Sequence, residues 1–96
     1  MEDVVYYNEL YDLYGELLTD KQRKYFEDYY FNNLSFSEMA ENYGVSRNAA
    51  FKQTHIVTQK LDDYERILCL RKKKEKLYKV LESVPSDLRE KIEEIF

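Results

Sequence analysis

Between Ser46 and His55 the chain reads SRNAAFKQTH, and Arg47, Asn48, Phe51, Lys52 and His55 recur at intervals that fall on one helical face. These side chains offer recognition rather than bond-making. A guanidinium at Arg47 suits a guanine edge or a phosphate, Asn48 an adenine edge, Phe51 a thymine methyl, and Lys52 a phosphate. Bond-making groups do not assemble. His55 is the one histidine and has no second His or Cys at ligand spacing, so no metal site is expected. Cys69 lies fourteen residues from that only imidazole, too far along a helix to serve as its nucleophile, and reads as a small buried hydrophobe near an apolar seam. Glycine occurs only at 15 and 44, which rules out a phosphate-cradling loop. The acid pairs Asp62-Asp63 and Glu93-Glu94 are adjacent, so their carboxylates leave a helix in different directions. No catalysis and no cofactor are expected.

Such a face needs a helix held at its start, and the preceding residues supply one. Ser35 followed by Glu38 is a capping box. Phe36, Met39, Ala40 and Tyr43 then recur at helical spacing, and Gly44 stands where a helix must stop in a left-handed residue. Val45 is placed to plug the angle between helices, Ser46 to cap the second helix, and small Ala40 to sit at their crossing. Cap, small residue, turn glycine, apolar plug and second cap, in this order, predict a helix-turn-helix. Upstream, a first helix is expected from about Glu2 to Glu16, with Tyr7, Leu10, Tyr11, Tyr14, Leu17 and Leu18 facing inward. Thr19 with Gln22 makes another capping box, and Tyr25, Phe26, Tyr29 and Tyr30 form the inner face of a second helix ending near Phe31 at an Asn32-Asn33 turn. The ten tyrosines read as core and boundary residues with hydroxyls reaching water.

The recognition helix carries an inner stripe of Ala50, Thr54, Val57, Leu61, Tyr64 and Leu68, a heptad-like seam. No Gly or Pro interrupts the chain from Arg47 to Val84. One helix of that length would span about 57 Å at ~1.5 Å per residue. A chain of 96 residues cannot cover such a rod, so it either bends near Cys69 to Lys74 or packs its second half on another subunit. Pro85 stops it at Val84, and Ser86 is placed to cap a last helix with Leu88, Ile92 and Ile95 on one face. The chain is read as all-α, with residues 1-68 forming the helix-turn-helix domain and 69-96 a C-terminal helical extension.

Net charge is −4, yet it is unevenly placed. Residues 1 to 20 hold six acids and no Lys or Arg, whereas residues 46 to 61 hold Arg47, Lys52 and Lys60 and no acid. Arg71, Lys72, Lys73 and Lys74 form a secondary basic patch. This distribution fits weak or partner-assisted nucleic-acid binding better than tight autonomous binding. One cysteine excludes an internal disulfide, and no long apolar run or leader is seen, so a cytoplasmic protein without membrane insertion is expected.

From Leu18 to Leu61 the chain resembles region 4 of bacterial sigma factors, through Leu18, Gln22-Arg23, Ser35, Glu38, Ala40, Gly44-Val45 and Ser46-Arg47. Over roughly residues 5 to 70 it more closely resembles the YlxM-like family of small bacterial helix-turn-helix proteins, through YNELYDLYGELLTDKQRKYFEDYY, SFSEMAENYGVSR and a long helix ending in DDYERIL. The resemblance implies a sigma region 4-like fold, a regulatory role, and an association with the signal recognition particle through the genomic neighbourhood of the family's genes. Ala50, Phe51, Thr54, His55 and Ile56 depart from that family's usual residues and leave the helix less basic. Two readings follow: a nucleic-acid-binding regulatory protein whose face at Ser46, Arg47, Asn48, Phe51, Lys52 and His55 reads duplex DNA, or a non-catalytic protein docking on signal recognition particle protein or RNA. The apolar positions at Leu61, Tyr64 and Leu68, returning at Leu77, Val80, Leu81 and Val84, point to a homodimer.

Overall fold

Every helix of the front half begins where the sequence supplies an oxygen for its orphan N–H groups. A computed structural model describes residues 3–96. Helix α1 (Val4–Tyr14) opens on Asp3, whose carboxylate accepts the Tyr6 N–H at 3.0 Å. The expected start at Glu2 lies outside the described residues. A 3-10 turn, Gly15–Leu17, leads to α2 (Asp20–Tyr30), capped by reciprocal bonds between Thr19 and Gln22 of 2.9 and 3.1 Å. Asn33, with φ of 55°, turns the chain into α3 (Phe36–Tyr43), and Ser35 and Glu38 make the same reciprocal box. Gly44 ends α3 at φ 65°, where a Cβ would be strained, and the Val45 N–H closes the turn on the Ala40 carbonyl at 3.0 Å. The Ser46 hydroxyl then accepts the Ala49 N–H at 3.0 Å and starts α4 (Arg47–Leu68). Helices α5 (Leu70–Leu81) and α6 (Ser86–Ile95) follow. There are six α-helices and no strand among the described residues, so the chain is all-α with a helix-turn-helix at α3–α4.

Two apolar clusters hold the front half. Leu10, Tyr14, Leu18, Phe26, Val57 and Leu61 join α1, α2 and α4. Tyr25, Met39, Ala40 and Ala50 join α2, α3 and α4. Burial of each large side chain here contributes about 1.5–3 kcal/mol. Ala40 and Ala50 meet in the second cluster, as close helix crossing requires. Val45 does not plug the angle: it is 39% exposed, and Met39 and Tyr25 fill that space. Leu17 is exposed as well, because the 3-10 turn rotates it out of the α1 face.

The α4 seam drifts from its heptad expectation. Ala50, Thr54, Val57 and Leu61 are buried, but Tyr64 is half-buried and Leu68 exposed, while Thr58 and Glu65 are buried instead. A straight helix turns every 3.6 residues, so a seven-residue repeat leaves the buried side within a few turns.

Cys69 breaks the long helix, and it does so in the left-handed region, φ 56° and ψ 28°. Of the two solutions to the over-long rod, the bend is the one adopted. Cys69 is half-exposed at the junction of α4 and α5 rather than a buried hydrophobe. Three orphan N–H groups of α5 find partners on other helices. Leu70 N–H donates to the Tyr14 hydroxyl at 3.0 Å, and Arg71 and Lys72 N–H donate to Glu65 at 2.9 and 3.4 Å. The Tyr14 hydroxyl in turn donates to Glu65 at 2.7 Å. Burial alone would raise the Glu65 carboxyl, but the Arg71 N–H, the Tyr14 hydroxyl, the Lys72 N–H and the Arg71 charge outweigh it and hold it below its ordinary value. The last helix is simpler than expected. Ser86 is its first residue and its hydroxyl accepts no capping N–H, Pro85 precedes it, and Leu88 and Ile95 remain exposed.

Tyrosine hydroxyls tie the helices together instead of only reaching water. Besides Tyr14, Tyr7 donates to Asp62 of α4 at 2.9 Å, Tyr11 to Glu27 of α2 at 2.7 Å, and Tyr43 to Asp28 of α2. Burial and then the carboxylate partner push each of these phenols up to about 12.

Candidate nucleic-acid interface

Ser46 fixes where the outward face of α4 begins. Its hydroxyl oxygen is spent on the cap, and the next turn places Arg47 and Asn48 in solvent. One and two turns on, Phe51, Lys52 and His55 are also exposed, opposite buried Ala50, Thr54 and Val57. The Thr54 hydroxyl, which would be costly buried alone, donates back to the Ala50 carbonyl at 3.0 Å. The six side chains expected on this face therefore share it.

Arg47 and Lys52 have no carboxylate within 4.0 Å, so among the described residues no ion pair competes for their charge. The Arg47 guanidinium lies 6.0 Å from the Phe36 ring centroid. Phe51, 40% exposed, stands with its ring edge on Phe36 at 5.3 Å, and Phe36 stacks on Tyr29 of α2 at 4.9 Å. The His55 ring lies parallel to Phe51 at 6.2 Å. Phe51 is thus a supported prominence, not a loose side chain: α2 and α3 fix its position on α4. The spacing of Phe36 with Met39, Ala40 and Tyr43 predicts a helix face but not this contact. Its position directly after the Ser35 cap, one turn of α3 from the crossing, is the signal that could have shown it as the base beneath Phe51.

The second basic patch divides. Arg71 is half-buried, paired with Glu9 of α1 at 2.6 Å and set over the Tyr6 ring at 4.9 Å. Hydrogen bonding to Glu9 raises its pKa further. Lys74 is half-buried near the rings of Tyr78 and Phe96, at 5.6 and 5.4 Å. Lys72 and Lys73 face solvent. Arg71 therefore fastens α5 to α1, and the four residues do not present one surface. His55, Cys69 and the acids do not gather: no group of three potential metal ligands occurs among the described residues. No helix among them is long and apolar enough to cross a membrane.

An exposed, weakly basic helix face with one fixed aromatic can grip a phosphate backbone and touch base edges. It encloses no substrate. Residues 1–95 match the family model UPF0122, described as "Putative helix-turn-helix protein, YlxM / p13 like". The chain is similar to the UPF0122 protein of Anoxybacillus flavithermus, 37% identical over 91 residues, covering 95% of this chain and 83% of that one. The UPF0122 protein of Caldanaerobacter subterraneus is 39% identical over 83 residues, 86% of this chain and 71% of that one. That of Halalkalibacterium halodurans is 40% identical over 77 residues, 80% and 71% respectively.

Proposed function

The chain belongs to UPF0122, the YlxM / p13 like helix-turn-helix family, and from that premise we propose that it is a nucleic-acid-binding regulatory protein with α4 as its reader. The observation that carries this reading is the acid-free outward face of Arg47, Asn48, Phe51, Lys52 and His55 on the first turns of α4, directly after the Gly44 turn. That is the part of a helix-turn-helix that enters a major groove. Arg47 and Asn48 address base edges, Lys52 a phosphate, Phe51 a thymine methyl, and His55 the end of the contact; the Ser46 cap sets the depth of α4. With only two cations at the front of the helix, binding is modest and its salt slope shallow, about −1.8 for two phosphate contacts. A homodimer presenting two readers offsets that weakness. The family resemblance is the one support for assigning this activity to the signal recognition particle pathway, in the cytoplasm.

The second reading is a protein that docks on a signal recognition particle protein or RNA with the helix-turn-helix as scaffold. The support under Phe51 favours it, because a fixed, exposed aromatic is the usual anchor of a protein contact. Titration with duplex DNA at several salt concentrations separates the two. Arg47→Ala and Lys52→Ala are expected to weaken binding without unfolding the protein, each lowering the salt slope by about 0.9 for a lost phosphate contact. Variants that bind duplex DNA like the parent, together with loss of a protein partner in Phe51→Ala, would replace the reader with the scaffold.

A further inference from the structure

The back of the chain is the part least covered by its own fold. The radius of gyration is 16.6 Å and the longest extent 53 Å. A compact chain of this length has a radius of about 12.5 Å. Lys74 lies 5.4 Å from the Phe96 ring, so the far end of α6 comes back beside α5 and the two helices form an open hairpin. Leu81 is buried inside the protomer, but α6 contains no buried residue. Its apolar stripe of Leu88, Ile92 and Ile95 is 50% exposed at Leu88 and 86% at Ile95, and Val80 of α5 is 62% exposed. A face of this kind is seldom left in water.

Charge says what covers it. Helix α5 carries six basic residues against Glu75, and its exposed side presents Lys72, Lys73, Lys76 and Lys79 around Val80. Helix α6 carries four acids against Arg89 and Lys91. The net excess is positive on α5 and negative on α6. We propose that a second copy of this chain covers the hairpin, in a two-fold dimer that lays basic α5 of one protomer against acidic α6 of its partner. A two-fold axis makes that contact twice and buries both apolar stripes at once. The proposal rests on the homodimer of the preceding reading and adds its surface and pairing. It corrects the expected seam, because Leu61 and Leu81 are spent inside the protomer and cannot serve between protomers.

The test is the mass of the full chain in sedimentation equilibrium at tens of micromolar, without nucleic acid. Twice the 11.7 kDa chain mass is expected. The double variant Leu88→Glu, Ile95→Glu is expected to halve it with unchanged helical circular dichroism, since both side chains are exposed. Lys72→Glu with Lys76→Glu, and separately Glu90→Lys with Glu94→Lys, are each expected to be monomeric alone. Mixed, the two are expected to regain the dimer mass, because each reversed helix then meets an opposite partner. A monomeric parent protein at low salt overturns the proposal. So does a dimeric parent whose two charge-reversed variants stay monomeric when mixed. Arg47→Ala with Lys52→Ala leaves the mass unchanged, so failure of the reader and failure of the dimer read out separately.

Discussion

Tyr14 shows what a single side chain contributes here. Its hydroxyl donates to Glu65 and accepts from Leu70, so Tyr14→Phe leaves a buried acceptor and an N–H short of a partner. The expected cost is about 1–3 kcal/mol, read as a lower urea midpoint with an unchanged slope. A midpoint equal to the parent's would mean that the hydroxyl is not bonded in solution. The same tyrosines give the protein an alkaline limit. Tyr7, Tyr11, Tyr14 and Tyr43 keep their protons to about 12 when folded, against an ordinary value of 10.0. A raised folded value means that their contribution is complete below pH 10 and is lost as pH rises towards 12. Thermal melts across that window should fall steeply as tyrosinate absorbance appears. Glu65 works in the opposite direction: its folded value is lowered, so its contribution is present above the ordinary carboxylate value and fades as pH falls below it. None of these pairs is legible in the sequence. Tyr7 and Asp62 lie 55 residues apart, and Tyr14 and Glu65 lie 51 apart, so nothing local marks them as partners.

At the scale of the helices, the caps of α2, α3 and α4 were legible, the expected Ser86 cap was not formed, and the bend near Cys69 was legible only as one of two ways to shorten an over-long helix. Thr19 with Gln22, Ser35 with Glu38, and Gly44 act within three or four residues of themselves, and each does what its residue type requires. The outward set on α4 was legible for the same reason, because a helix face follows from spacing alone. Cys69 adopts φ 56° with no glycine or asparagine to announce it; tertiary bonds from Tyr14 and Glu65 hold it there. The two turns therefore respond differently to substitution. Gly44→Val should destabilise by at least ~1 kcal/mol, since a β-branched residue tolerates that φ badly. Cys69→Gly should be neutral or stabilising, because it relieves the same strain. Chemical denaturation of both variants checks this. A tolerated Gly44→Val would place the helix-turn-helix turn elsewhere.

For the molecule as a whole, the front half is tied by two apolar clusters and the rear is fastened to it at few points: Arg71 to Glu9, the Tyr14–Glu65 pair, and Leu70 packed on the first cluster. A break in the helix that follows Ser46 could be drawn from its length alone. The surface that the extension leaves open could not, because it depends on which of Leu68, Val80, Leu81 and Leu88 the protomer itself buries. The borrowed cap at Cys69 also has a consequence in time. Helix α5 begins with N–H groups whose acceptors lie in α1 and α4, one of them 56 residues away. It has no favourable start until those helices have docked. Sequential folding is the expected outcome: the front half forms first, and α5 and α6 condense onto it after the rate-limiting step. Substitutions in α5 should speed unfolding and leave the folding rate nearly untouched, a φ-value near zero. Amide exchange should likewise reveal a rear segment that opens and closes many times for each unfolding of the front.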